Sequence, residues 1–119
     1  MRTHATPVPI GEALSRARAV VSQGGHGTCL AALRAARPNV VLPVHFEAML
    51  NGVALERAGV GKVAWGGSTD VIAEHVEWAL KLDRGVAQGV AAHVEAPPPL
   101  DGQALLARMQ ARPALRAVA

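Results

Sequence analysis

Short apolar runs alternate along the chain with longer stretches whose apolar residues recur at helical spacing. The runs lie at Ala19–Ser22, Val40–Pro43 and Val60–Trp65, and their lack of polar alternation is typical of strands buried on both faces of a sheet. Spacing, prolines and capping residues predict helices at Ile10–Arg16, Thr28–Ala36, Phe46–Ala58, Thr69–Leu82, Asp83–Glu95 and Asp101–Ala111. Each predicted strand is therefore followed by a predicted helix.

The same pattern predicts which residues are buried. The inner face of the second helix is expected to consist of Leu30, Ala31 and Leu33. The inner face of the third helix is expected to consist of Phe46, Met49, Leu50, Val53 and Ala54. Gly59 is expected to end that helix. Trp65 and Trp78 are expected to pack in the core, with the lining of a cleft as the alternative for Trp65.

Strands that alternate with helices indicate βαβ units and a parallel sheet. We predict an α/β fold, a partial Rossmann-like three-layer domain in which helices flank about three strands. This domain would span residues 1–95, and residues 96–119 would form a proline-rich linker, a helix and a tail. Ligands of such sheets bind beyond the carboxyl ends of the strands. The loops Gln23–Gly27 and Val44–Glu47 follow consecutive strands, so a site is expected there.

Composition narrows the class of protein. The chain has 119 residues, 50% of them hydrophobic, and a formal net charge of +3. The basic residues are scattered without interleaved aromatic residues, which argues against a nucleic-acid partner. No apolar run reaches the roughly 20 residues that a membrane span requires. One cysteine excludes an internal disulfide and fits a reducing compartment, so a cytoplasmic location is expected.

The sequence QGGHGT joins the first strand to its helix, and its glycines have two interpretations. A sharp turn can require a residue that takes positive φ freely. Alternatively, a ligand approaches the backbone, because the first amides of a helix lack helical partners and the helix dipole favours an anion. Gly24, Gly25 and Gly27, with the Thr28 hydroxyl beside them, would then hold a phosphate. The turn lacks the lysine of a Walker loop and the third glycine of a dinucleotide fingerprint.

Two further arrangements of side chains near this turn are possible. His26, Cys29, His45 and Glu47 can be drawn as a zinc site, whereas Cys29 also fits as a small buried residue. His45 and Glu47 can act as an acid/base pair, whereas His45 also fits as an ordinary loop residue.

The order of the motifs resembles one family of enzymes. Val8-Pro9 precedes a short helix and a strand, and residues 23–61 then read QGGHGTCLAALRAARPNVVLPVHFEAMLNGVALERAGVG. This is similar to the nucleotide-sugar-binding half of GT-B glycosyltransferases, among them the bacterial natural-product enzymes and the UDP-glycosyltransferases. Their pattern runs V-P-Q, H-G-G-x-G-T, A-L-x-x-G-x-P, P-x-x-x-D-Q-x-x-N-A and G-x-G. The resemblance is close from Val8 to Gly61 and continues in pattern to His93.

The resemblance implies how a donor would be held. Val8 would make a backbone contact with the nucleotide base. Gly24, Gly25, Gly27 and Thr28 would cradle the diphosphate. The donor would be a UDP- or dTDP-hexose, with no metal and no other cofactor, and the glycosidic bond would form with inversion.

Some positions keep the family's chemistry and others depart from it. Glu47 would accept hydrogen bonds from sugar hydroxyls, and Asn51 matches an asparagine that we interpret as structural. Gln23 replaces a histidine that touches the phosphates, and its amide keeps one donor. Ala48 replaces a glutamine that helps to grip the sugar, and Ala36 replaces a glycine.

Relatives also carry an acceptor domain with the catalytic base, and the resemblance covers none of it. Transfer requires the donor and the acceptor in one cleft, so we expect no transfer by this chain alone. The chain would be a portion of a glycosyltransferase, or the donor-binding subunit of a two-chain enzyme. The alternative is a non-catalytic binding or interaction module, or a relic. Its partners would be a nucleotide sugar and either an acceptor-domain chain or a second copy of itself.

Overall fold

The computed structural model describes residues 3–94 and 99–111, which contain a parallel sheet of three strands and six α-helices. The strands are β1 (Val20–Ser22), β2 (Asn39–Val41) and β3 (Gly61–Val63). The helices are α1 (Ile10–Arg16), α2 (His26–Arg34), α3 (Phe46–Arg57), α4 (Thr69–Lys81), α5 (Arg84–Ala91) and α6 (Gly102–Gln110). The predicted α/β fold class is confirmed. Residues 95–98 of the predicted fifth helix and linker, and residues 112–119 of the predicted tail, lie outside the described residues.

The bounds of α1 agree with the sequence pattern at both ends, whereas those of α2 do not. α2 begins at His26 instead of Thr28, because Gly25 already takes the extended N-cap conformation with φ −59° and ψ 138°. Gly27 therefore lies in the first helical turn and not in the preceding loop. The strands are three residues long, shorter than the apolar runs that predicted them.

The sheet has helices on both faces, as a three-layer domain requires. Its order is β1-β2-β3, and both strand pairs are parallel. Successive residues of a strand face opposite sides. Val41 of β2 accordingly packs with Cys29 of α2 and Leu55 of α3, while Val40 packs with Ala79 of α4 on the other side.

The buried face of α3 differs from the predicted one. The residues of α3 that are buried are Ala48, Gly52 and Leu55. Phe46 and Leu50, which were expected in the core, are 70% and 50% exposed. The reason is close approach of the helix to the sheet, since a Cβ at Gly52 would lie 2.6 Å from Cγ2 of Val63. Ala48 and Gly52 therefore occupy the inner face together with Leu55, while Phe46, Leu50 and the predicted Ala54 are exposed.

The buried face of α2 also differs from the predicted one, but by less. The buried residues of this helix are Cys29 and Ala32, and the predicted Leu30, Ala31 and Leu33 are half-buried. The helix ends in a tight C-terminal turn in which the Arg37 amide donates to the Ala32 carbonyl at 2.9 Å. Ala36 occupies the left-handed position of this turn, with φ +53°.

The ends of α3 and α4 follow the sequence prediction. Gly59 takes φ +76° directly after α3, which confirms its helix-ending role. Ser68 caps α4 by accepting a hydrogen bond from the Val71 amide at 3.3 Å. Within the described ranges, no helix combines the length and the hydropathy that crossing a membrane would require.

Candidate functional site

The three parallel strands deliver their following loops to one edge of the sheet. These loops precede α2, α3 and α4. The sequence predicted a site at the first two of them, because ligands of parallel sheets bind at the carboxyl edge. The structure places Gln23–Gly25 and the start of α2 at this edge, together with the start of α3.

The conformation and the packing of the turn require glycine at position 24. Its φ is +86°, and a Cβ there would lie 2.7 Å from Cγ1 of Val41 and 2.8 Å from the Ala48 carbonyl oxygen. Its carbonyl accepts a hydrogen bond from Nδ2 of Asn51 at 2.9 Å, which confirms the structural interpretation of Asn51. Its amide donates to Oγ of Ser22 at 3.3 Å. The expectation that the Gly24 amide is a free donor for a phosphate is therefore wrong, because Gly24 is buried and its amide is already paired with Ser22.

The first four backbone amides after Gly24 form no hydrogen bond with any residue that the structure describes. The first hydrogen bond of α2 runs from the Cys29 amide to the Gly25 carbonyl at 3.0 Å, and no side chain caps the helix. Among the described residues, no acceptor forms a hydrogen bond with the amides of Gly25, His26, Gly27 or Thr28. These amides and the positive end of the helix dipole favour an anion.

Gly25 and Gly27 lie beneath open space. A Cβ at either position would meet no heavy atom within 4 Å, and neither residue has positive φ. The chain itself therefore does not require glycine at these two positions, in contrast to Gly24. We call the amides of residues 25–28 and the open surface above them the α2 cradle. Gln23 is exposed beside the cradle, and Thr28 is half-buried within it.

The start of α3 carries the residue proposed for sugar binding. Glu47 is exposed in the first turn of the helix. Ala48 is fully buried against Gly24, so it cannot replace the family's sugar-binding glutamine. Nδ1 of His45 accepts from the Ala48 amide at 3.2 Å and so caps α3. This bond occupies the lone pair that a base at Nδ1 would use, which favours the loop-residue interpretation of His45.

An apolar cleft of about 620 Å³ opens between the loops that follow β2 and β3. Its walls include Phe46, Met49 and Trp65, and Trp65 is 53% exposed. The expected packing of Trp65 in the core is therefore wrong, and the alternative that it lines a cleft holds. Phe46 was missed because helical spacing placed it on the inner face of α3. Trp78 does pack in the core, and Nζ of Lys62 lies 5.2 Å from its ring centroid.

Val8 lies apart from this cleft. It is half-buried before α1 and lines a separate hollow of about 350 Å³, together with Glu12 and Arg16 among others. α1 packs against α2, but the residues that line this hollow belong to α1 and to the segment before it. The predicted contact of Val8 with a nucleotide base stays a prediction.

Cys29 belongs to the core beneath the α2 cradle. Its thiol is 6% exposed and accepts a weak hydrogen bond from Nδ2 of Asn39 at 3.7 Å. Burial raises the pKa of this thiol, and a hydrogen bond with Ser22 opposes that rise. Over the described part of the chain, no three His, Cys, Asp or Glu side chains are grouped to hold a metal ion. The structure therefore does not assemble the zinc site drawn from His26, Cys29, His45 and Glu47.

Comparison with known proteins finds similarity among solved structures. No protein-family model matches the sequence, and no curated protein matches it significantly. The glycosyltransferase SnogD from Streptomyces nogalater is 32% identical with a TM-score of 0.64, over 86% of this chain and 28% of that one. The glycotransferase of kitacinnamycin is 23% identical with a TM-score of 0.63, over 71% of this chain and 22% of that one.

The chain therefore spans between 22% and 28% of the length of these two enzymes. Their similarity confirms the Rossmann-like α/β fold, and it confirms the resemblance to bacterial natural-product glycosyltransferases of the GT-B type. A shared fold does not by itself assign an activity. The chemistry has to come from the residues at the carboxyl edge of the sheet.

Proposed function

We propose that the chain binds the diphosphate of a nucleoside-diphosphate sugar at the α2 cradle, as the donor-binding portion of a hexosyl-transferring glycosyltransferase. One observation carries this proposal: the amides of residues 25–28 form no hydrogen bond within the described chain, and a Cβ at Gly25 or Gly27 would meet no heavy atom within 4 Å. The similarity to SnogD, a glycosyltransferase, supports it.

Backbone amides at a helix start suit a diphosphate. They donate hydrogen bonds from fixed positions, and the helix dipole adds positive potential at the same place. The Thr28 hydroxyl and the exposed Gln23 amide are further donors within the same turn. In this proposal the donor is a UDP- or dTDP-hexose, and its diphosphate charge is stabilised by these groups, without a metal or another cofactor.

The rest of the donor would extend from the cradle in two directions. Glu47 is exposed at the start of α3, so its carboxylate can accept hydrogen bonds from two sugar hydroxyls. The backbone at Val8 would contact the base.

Transfer itself would need a second domain. In the proposed reaction the acceptor hydroxyl oxygen bonds to the anomeric carbon as the bond from that carbon to the diphosphate oxygen breaks. A base takes the hydroxyl proton, and the nucleoside diphosphate leaves from the α2 cradle. Holding both substrates in one cleft supplies much of the rate. We propose that an acceptor-binding domain provides this base, either in the same polypeptide or in a separate chain.

Burial of Ala48 favours a second candidate, a module that binds the nucleotide without transferring sugar. Ala48 is 0% exposed, so one side chain that would hold the sugar is missing. Calorimetry with UDP and UDP-glucose separates the two candidates. A donor-binding portion is expected to bind UDP-glucose more tightly than UDP, and Glu47→Gln should remove the difference. Equal affinities for the two ligands would favour the binding module.

Gly27→Ala is the sharpest test of the proposal. A methyl group at Gly27 meets no protein atom and should stabilise α2 by about 0.5–1 kcal/mol, because alanine favours a helix over glycine. The same methyl would occupy the space above the amides, so UDP affinity should fall by roughly tenfold or more. Calorimetry gives the affinity, and thermal denaturation gives the stability.

Gly89→Ala is the matched control. Gly89 also lies inside a helix, α5, with no heavy atom within 4 Å of a built Cβ. This variant should gain similar stability and bind UDP like the parent chain. The proposal fails if the parent chain does not bind UDP or dTDP at about 1 mM, or if Gly27→Ala leaves the affinity unchanged.

A further inference from the structure

A chain of hydrogen bonds runs beneath the α2 cradle from a buried asparagine to the glycine turn. Asn39 of β2 is 1% exposed. Its Nδ2 donates to Sγ of Cys29 at 3.7 Å, and its Oδ1 accepts from Oγ of Ser22 at 3.0 Å. The same Ser22 oxygen accepts from the Gly24 amide at 3.3 Å. The side chain of a core strand is thus connected to the backbone of the turn.

The direction of these bonds is set by Asn39. Its Oδ1 can only accept, so the Ser22 hydroxyl is the donor of the bond between them. The lone pairs of Ser22 are then left for the Gly24 amide. Because a hydroxyl otherwise rotates to suit its surroundings, the bond to the buried asparagine favours the orientation in which Ser22 accepts from the turn, beside the hydrogen bond between Ser22 and Cys29.

A second hydrogen bond holds Gly24 from the opposite side. We call this bond and the bond from the Gly24 amide to Ser22 the two braces of the turn. Nδ2 of Asn51, on α3, donates to the Gly24 carbonyl at 2.9 Å. Both peptide groups of Gly24 are therefore fixed, one through β1 and β2 and the other through α3. Gly25, the N-cap of α2, follows directly, so the direction in which the cradle amides point is set by these braces.

We infer that Ser22 and Asn39 are positioning residues for the anion that the α2 cradle binds. This inference rests on the proposed function. Neither side chain belongs to the cradle surface, since Asn39 is buried and Ser22 lies half-buried behind the turn. They act by holding Gly24, so the amides are aligned before a ligand arrives and need not be ordered by it.

Ser22→Ala tests this role, with Ser22→Thr as the rescue. The alanine variant removes the acceptor of the Gly24 amide and should weaken UDP binding about tenfold. The threonine variant keeps the hydroxyl and should restore the affinity. Ser68→Ala is the matched control, because Ser68 also accepts one backbone amide at 3.3 Å, but on α4. It should change melting temperature without changing UDP affinity.

Amide hydrogen exchange tests the same inference without any ligand. The Gly24 amide should exchange about tenfold faster in Ser22→Ala than in the parent and threonine chains. Equal UDP affinity in the alanine and parent chains, or a threonine variant as weak as alanine, would overturn the inference. If the parent chain binds no UDP, the proposed function fails. The positioning of Gly24 by Ser22 is overturned separately if the Gly24 amide exchanges equally fast in Ser22→Ala and in the parent chain. If Ser22→Ala does not fold, fast exchange of Gly24 in the parent chain would overturn it.

Discussion

At the scale of single residues, three glycines in one turn exist for two different reasons. Gly24 is required by the fold, because its φ is +86° and Val41 and Ala48 leave no room for a Cβ. Gly25 and Gly27 have room for a Cβ and ordinary φ values. Substitution of Gly24 should therefore disturb folding, whereas substitutions of Gly25 and Gly27 test the proposed binding of an anion.

Ala36 carries backbone strain that glycine would relieve. It follows α2 with φ +53°, a region that costs a residue with a Cβ about 1 kcal/mol or more. Ala36→Gly should therefore raise the free energy of unfolding by about 0.5–1 kcal/mol. Urea denaturation followed by circular dichroism measures the change.

Ala58→Gly is the control for Ala36→Gly. Ala58 occupies the C-cap of α3 with φ −77° and ψ −6°, where alanine is unstrained. Glycine should lower the stability there by about 0.5–1 kcal/mol, because it only adds freedom to the unfolded chain. Loss of stability in both variants would contradict the strain at Ala36.

At the scale of elements, the order and type of the helices and strands could be predicted, and the orientation of α3 could not. Periodicity identified α3 as a helix and placed its start at Phe46. It chose the wrong face because large apolar side chains usually point inwards. Here Gly52 lies against Val63, and Gly61 of β3 would place a Cβ 2.5 Å from Cβ of Leu55. Such a close approach depends on the partner strand, which helical spacing does not report.

Two leucines of α3 test its orientation. Leu55 is 7% exposed and Leu50 is 50% exposed. Leu55→Ala should lower the free energy of unfolding by about 2–4 kcal/mol, through lost burial and the cavity that remains. Leu50→Ala should cost less than about 1 kcal/mol. Chemical denaturation of both variants decides the orientation, and a larger loss for Leu50→Ala than for Leu55→Ala would favour the sequence-based prediction.

The candidate site was predictable only in part, because some of its contacts join residues that are distant in the sequence. The spacing of QGGHGT and the helix pattern after it located the unpartnered amides, because these depend on neighbouring residues. The hydrogen bond between Asn39 and Ser22 joins residues 17 positions apart. It exists because β1 and β2 pair in parallel with Val20 opposite Asn39 and Ser22 opposite Val41. Pairing register of this kind is not visible in local spacing.

At the scale of the whole molecule, the parallel sheet brings two different surfaces to one edge. The α2 cradle offers hydrogen-bond donors to an anion, and the apolar cleft beside α3 exposes Phe46 and Trp65. The two surfaces are carried by consecutive loops of the sheet.

The most direct measurement is a titration of the ¹⁵N-labelled chain with UDP, followed by the backbone amide resonances. We predict that the amides of Gly25, His26, Gly27 and Thr28 shift most as the nucleotide saturates, because these four amides are the proposed donors to the diphosphate. Gly89 in α5 should not move. Saturation that leaves these four amides in place, or shifts centred on another part of the chain, would contradict it.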